Sequence, residues 1–220
     1  MIKYFLYFLV SLLLLPLSAQ EPAPITFAHI GLNDGLSQST VVDITQDRKN
    51  NMWFATHNGL NKFDGYDFTV YQHNAQNPYS IGNDIIRSCI TDKQGRIWIG
   101  TDEGLSLYDV NMDRFDNFSY QENGKQLSID GIVEANNKLL LCSRKKKLLL
   151  FDMEKMQYSE ELPVPALFSI VPTSVYRQDD HIYIGSMQGL FIYSIQTNTL
   201  ENIAPKELTN KEIYAILQQS

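Results

Sequence analysis

The residues with chemistry to offer are few, and their spacing decides what each could do. Two acidic pairs stand out, Asp102-Glu103 and Asp179-Asp180. Paired carboxylates run glycoside hydrolysis when one donates a proton and the other attacks or activates water. Both pairs fall in segments that read as turns, where acidic residues are ordinary. The four histidines (His29, His57, His73, His181) are scattered with no second ligand nearby, so no metal spacing is present. The two cysteines, Cys89 and Cys142, sit inside expected strands of different repeats and read as small buried hydrophobes rather than a disulfide framework. No Ser-His-Asp arrangement or phosphate-cradling glycine loop is legible, and no cofactor is implied. Asn33-Asp34-Gly35 reads as a turn. Trp53, Trp98 and Tyr183 invite a sugar-stacking role, but they recur in mid-strand at a fixed period, which marks core residues.

Binding side chains belong instead on loops at one end of the strands, where they can converge on a ligand. That reasoning selects His57 and Asn58, Asp102 and Glu103, and Tyr79 and Arg87 as candidate ligand contacts, the last two from the segments between repeats. All six are expected to share one rim.

The element that must position them is a repeat. Met52-Trp53-Phe54-Ala55-Thr56-His57-Asn58-Gly59-Leu60 returns as Ile97-Trp98-Ile99-Gly100-Thr101-Asp102-Glu103-Gly104-Leu105 and again as Ile182-Tyr183-Ile184-Gly185-Ser186-Met187-Gln188-Gly189-Leu190. A worn copy, Leu140-Leu141-Cys142-Ser143, lies between, and Leu141 is aligned with the tryptophans. The copies stand 42–45 residues apart. Each reads as β-branched and aromatic strand, then an Asn-Gly or Glu-Gly hairpin turn, then a return strand. One strand precedes each copy and a short aromatic strand follows it. Four antiparallel strands at this period predict an all-β propeller of four-stranded blades in an incomplete ring. Successive apolar residues such as Ile97-Trp98-Ile99 suit a blade covered on both faces; an open sandwich is the competing architecture.

The repeats are placed at 41–72, 84–120, 129–160 and 173–203, within a partial propeller spanning 20–220. A fifth repeat is expected to start at 212–217, and Ile25–Ile30 reads as an orphan strand of the kind that closes a ring. Residues 1–19 read as a signal peptide, with Lys3 ahead of the apolar run Phe5–Leu15 and Leu17-Ser18-Ala19 before the cut. An uncleaved anchor is the alternative. Export to the periplasm follows. With 44% hydrophobic residues the 220-residue chain is globular, and its net charge of −7 argues against nucleic acid or anionic lipid as partner. Arg144-Lys145-Lys146-Lys147 reads as a solvated turn.

Leu32-Asn33-Asp34-Gly35-Leu36-Ser37, followed by Val41 and Asp47, resembles the opening of the sensor region of hybrid two-component systems of glycan-foraging Bacteroidetes. Trp53 to Gly65 and Trp98 to Leu105 are similar to the two-component regulator propeller repeat, and Asn77-Pro78-Tyr79-Ser80-Ile81 matches that family's inter-blade style. The third and fourth repeats depart from it, with Leu141 and Tyr183 for Trp and Lys147 for Gly. The resemblance implies two seven-bladed propellers, which sense oligosaccharides, and a further β-sandwich. A membrane helix, a histidine kinase, a receiver and a DNA-binding domain follow in that family. The sequence holds no second apolar span, kinase core or basic helix pair, so the resemblance assigns no kinase activity to this chain, and the membrane enters only through downstream segments. The implied function is the N-terminal portion of a periplasmic glycan sensor. A free-standing binding or scaffold propeller, completed by a second copy as a homodimer or by further blades, is the alternative, as is a non-functional truncated remnant.

Overall fold

A computed structural model describes residues 26–135, 137–143, 147–159, 172–197 and 199–202, with single residues at 213 and 216. The expected leader at 1–19 and the basic residues at 144–146 lie outside the described residues.

Four four-stranded antiparallel sheets follow one another along the chain, each in simple meander order. The first holds β1 (Val41–Gln46), β2 (Met52–Thr56), β3 (Gly59–Phe63) and β4 (Phe68–Tyr71). The second holds β5 (Ile86–Thr91), β6 (Ile97–Thr101), β7 (Gly104–Asp109) and β8 (Arg114–Phe118). A two-stranded ribbon, β9 (Gln121–Glu122) and β10 (Lys125–Gln126), leads to the third sheet: β11 (Gly131–Ala135), β12 (Lys138–Ser143), β13 (Lys147–Asp152) and β14 (Gln157–Ser159). The fourth comprises β15 (Pro172–Gln178), β16 (His181–Ser186), β17 (Gly189–Ser194) and β18 (Thr199–Asn202). Among the described residues the one helical element is a 3-10 turn at Leu32–Asp34.

The sheets stack as propeller blades, with first strands innermost: β1 lies beside β5, β5 beside β11, and β11 beside β15. Backbone and side chains tie these strands together, the Cys89 amide donating to Asp43 Oδ2 at 2.9 Å and the Arg177 guanidinium to the Glu134 carbonyl at 2.6 Å.

Because side chains alternate along a strand, each sheet sends one set of apolar residues backward and the next set forward. Trp53, Ala55 and Leu60 meet Ile97, Ile99, Tyr108 and Phe115 between the first and second sheets. Trp98, Leu105 and Leu107 meet Leu139, Leu141, Leu149 and Phe151 between the second and third. Leu140, Cys142 and Leu148 meet Ile182, Ile184 and Tyr193 between the third and fourth. Trp53 and Trp98 are fully buried, as core residues should be.

This alternation corrects the alignment of the worn repeat. Leu140 faces forward, as Trp98 does; Leu141 faces back to the second sheet. Pairing agrees, since Thr101 sits opposite Gly104, Ser186 opposite Gly189 and Ser143 opposite Lys147. The third hairpin carries one more residue than the others, and with a period of two a one-residue slip exchanges the faces.

Gly100 and Gly185 mark close approaches. A Cβ at Gly100 would stand 2.3 Å from the Ile129 carbonyl oxygen and 2.4 Å from Ser88 Oγ. The Ile129 amide donates to the Thr101 carbonyl at 2.9 Å, and the Ile213 amide repeats this on the Ser186 carbonyl at 3.1 Å. Ile213 thus sits against the fourth sheet as Ile129 sits against the second; the remainder of the expected fifth repeat, Ile216 apart, lies outside the described residues. No strand forms at residues 26–30, where Phe27 is 93% exposed, and Ile25 of the expected orphan strand lies outside the described residues.

Candidate functional site

Three of the hairpins that end the second strands are closed by one device. The hydroxyl of Thr56, Thr101 or Ser186 donates to the carbonyl of Gly59, Gly104 or Gly189 at 2.8, 3.1 and 2.9 Å. The same hydroxyl accepts the amide of Asn58, Glu103 or Gln188 at 3.0–3.1 Å. Gly104 takes φ 120° and has the Phe118 carbonyl oxygen 2.5 Å from where a Cβ would stand, so glycine alone fits. These turns present His57, Asn58, Asp102 and Glu103 at one end of the sheets.

The first strands shape the same end. In β1, β5 and β15 the register slips by one residue near the start, at Val41/Asp43, Ile86/Ser88 and Pro172/Ser174. The extra residues are Val42, Arg87 and Thr173. A bulge re-aims the side chain it carries. In the third sheet Asp130, one residue ahead of β11, takes the same place, its amide donating to the Cys142 carbonyl at 2.8 Å. All four line one concavity of about 450 Å³ that runs across the innermost strands of every sheet, with Asp43, His57, Ser88 and Ser174 also in its wall.

The electrostatics are mixed. Arg87 Nε donates to Asp102 Oδ1 at 2.7 Å, an ion pair whose partners are 30% and 28% exposed. Asp102 and Asp130 both favour the Arg87 charge, and its pKa lies above the ordinary arginine value, chiefly through the bond to Asp102. Asp43 has its pKa raised by burial, against the pull of the Cys89 and Ile44 amides that it accepts. Asp130 accepts the Ser128 hydroxyl at 2.9 Å.

Of the six candidate residues, His57 and Arg87 reach the concavity and Asp102 reaches it through Arg87. Glu103 stays on the turn. Asn58 turns outward, donating to the Ser37 carbonyl at 3.1 Å and accepting Gln72 Nε2 at 3.1 Å. Tyr79 does not share the rim. Its carbonyl accepts the Phe115 amide at 2.9 Å and its ring lies 4.6 Å from the Arg114 guanidinium, so the connection has descended the outer strand of the second sheet. Sequence reasoning missed Val42, Asp130 and Thr173. A bulge adds one residue without any compositional mark; the signal was positional, each residue standing first or second in its repeat.

At the opposite end, the first two sheets carry a second repeated device. Asp47 Oδ2 accepts Trp53 Nε1–H at 3.0 Å, and Asp92 Oδ2 accepts Trp98 Nε1–H at 2.9 Å. Each aspartate also accepts two amides of its own turn. Arg96 completes the second copy at 2.6 Å from Asp92. A groove of about 420 Å³ opens beside these turns, with Arg48, Lys49 and Asp116 among its lining. Cys89 and Cys142 are buried free thiols with pKa values pushed up by burial. Among the described residues no group of three or more His, Cys, Asp or Glu could hold a metal, and no helix is long and apolar enough to cross a membrane.

Comparison with known proteins places these features. Residues 35–58 and 80–103 match the two-component regulator propeller, the segments that include both tryptophan turns. Histidine kinase P4 of Formosa agariphila is 42% identical over 80 residues, which is 36% of this chain and 6% of that protein. The extracellular domain of the hybrid two-component system BT3049 of B. thetaiotaomicron superposes with a TM-score of 0.68 at 28% identity. That match covers 80% of this chain and 26% of the domain. The extracellular domain of BT4673 from B. thetaiotaomicron matches at 0.65 with 17% identity, 80% coverage of this chain and 23% of its own, a likeness of fold. The chain therefore matches the two-component regulator propeller over two segments and spans a small part of the proteins that it matches.

Proposed function

We propose that this chain, built on two-component regulator propeller repeats, is the N-terminal ligand-sensing portion of a periplasmic glycan sensor in a hybrid two-component system. The observation that carries the reading is the likeness, over 80% of the chain, to the extracellular domain of a hybrid two-component system. The concavity across the innermost strands gives the reading a place for a ligand, at a size typical of small-molecule sites. The role assigned here is recognition, and no chemical step is assigned to the chain.

Further blades, from a longer chain or a second copy, belong to the same reading. Ile44 is 50% exposed on the first sheet, whereas Cys89 at the equivalent place of the second sheet is 2% exposed beneath its neighbour. A neighbouring blade on that face would bury Ile44 and the ring cluster of Phe54, Phe63 and Phe68.

The test is a broad oligosaccharide panel against the native protein purified from its host. Saturable heat of binding with a raised melting temperature for at least one glycan is the expected result. Absence of both across the panel contradicts the sensing role.

A further inference from the structure

We propose that Val42, Arg87, Asp130 and Thr173, one residue from each sheet, form a reading ring whose ligand is an uncharged, hydroxyl-rich oligosaccharide rather than an acidic or sulfated one. This rests on the glycan-sensing reading above and narrows it.

The ring is built by the backbone. Three of its members are the extra residues of one-residue bulges at the same place in the first strands of the first, second and fourth sheets, and Asp130 holds that place in the third sheet. The residues that follow them, Asp43, Ser88, Gly131 and Ser174, each pair with the second strand in the same register. These pairing positions are used up in holding sheets together. Asp43 accepts two amides, Ser88 Oγ donates to the Ile129 carbonyl at 3.3 Å, and Ser174 Oγ donates to the Ile213 carbonyl at 3.3 Å. The bulge positions bear the chemistry that varies between sheets: an apolar group, a cation paired with Asp102, a carboxylate that accepts the Ser128 hydroxyl, and a hydroxyl that donates to the Ile213 carbonyl.

Those four chemistries constrain the ligand. Arg87 supplies donors only, and its amino nitrogens make no hydrogen bond among the described residues beyond the Nε contact with Asp102. The Asp130 carboxylate supplies acceptors only. A single group bridging both must accept from one and donate to the other, which a hydroxyl does and a carboxylate or sulfate does not. One cation facing Asp43, Asp102 and Asp130 leaves the mouth net acidic, so an anionic sugar would meet repulsion that Arg87 cannot cancel. An apolar ligand would strip water from charged groups without replacing it. Val42, 39% exposed, offers the apolar contact that suits the C–H face of a pyranose ring.

The experiment is calorimetric titration of the native protein with neutral oligosaccharides and with counterparts of the same linkage carrying uronic acids. Neutral sugars are expected to bind at least about tenfold tighter than their acidic counterparts. Arg87→Met is expected to weaken the neutral ligand about tenfold or more, while Asp130→Asn narrows the gap between neutral and acidic ligands. Melting curves check that each variant folds, and either one suffices if the other does not. Tighter binding of the acidic series overturns the proposal. So does neutral binding that both variants leave unchanged, in which case sugar sensing survives at another place. Absence of binding by any sugar overturns the glycan reading and the ring with it.

Discussion

The first two sheets each bury a tryptophan whose Nε1–H is taken by an aspartate six residues earlier, in a five-residue turn. The last two carry Leu140 and Tyr183 at that place, and there Ala135 pairs with Lys138 and Gln178 with His181 across two-residue turns. The two losses belong together. An indole N–H in a blade interior needs an acceptor, and only the longer turn brings an aspartate back over the ring. Once tryptophan becomes leucine, the aspartate has no N–H to take and the turn is free to shorten. One architecture is therefore held by polar, fully satisfied hairpins in one half and by aliphatic packing in the other.

The largest break in that contrast is Trp98→Ala. It removes a fully buried side chain between two sheets and is expected to cost about 3–5 kcal/mol, against about 1 kcal/mol for Tyr183→Ala at a half-buried place. Urea unfolding of the two variants measures both.

Asp92→Ala comes next, at about 3 kcal/mol, because it strands the Trp98 N–H, two amides and the Arg96 guanidinium. Asp179→Ala, in the short turn of the fourth sheet at φ 51°, should stay within about 1 kcal/mol. Acid sharpens the same comparison. Burial alone would raise the Asp47 and Asp92 carboxyls, but the indole and amide donors hold both below the ordinary value of 3.8. A carboxylate with a lowered folded pKa stabilises the fold above its unfolded pKa and loses that contribution as pH falls through the folded one. Melting temperature should therefore drop below about pH 4, and Asp92→Asn should flatten the drop.

A smaller effect separates the hairpins at the other end. Thr101→Ala removes a hydroxyl that makes two bonds and should cost about 1–2 kcal/mol. Ser143, its equivalent in the third sheet, is buried with no partner for its hydroxyl among the described residues, so Ser143→Ala should be neutral or stabilising. Smallest is the Arg87–Asp102 pair. Both partners are about a third exposed, and a double-mutant cycle on stability should give a coupling below about 1 kcal/mol. A larger value would make Arg87 a structural residue rather than a ligand contact.

Much of this was legible in the sequence, and the reasons for what was not are specific. Strand-turn-strand blocks at a blade period identify the sheets, and the recurrence of Trp53 and Trp98 in mid-strand marks them as core. In the sequence Leu141 rather than Leu140 aligns with the tryptophans, because three residues, not two, separate Ser143 from Lys147 and identity is too weak there to show the slip. A loop between repeats has no pattern that says how far down the sheet it runs, so the sequence does not reveal that Tyr79 lies away from the rim. The bulges are backbone events, and side-chain composition does not encode them. The Asp47–Trp53 and Asp92–Trp98 spacing was present in the repeat and would have disclosed the turn chemistry.

The proposed role of these sheets is as the sensing front of a membrane-bound two-component protein. An antibody raised against the second sheet, applied to fractionated host cells, tests it most directly. The account predicts a membrane-associated species far larger than the 25.2 kDa of this chain. A soluble periplasmic species near 25 kDa as the only product would contradict it.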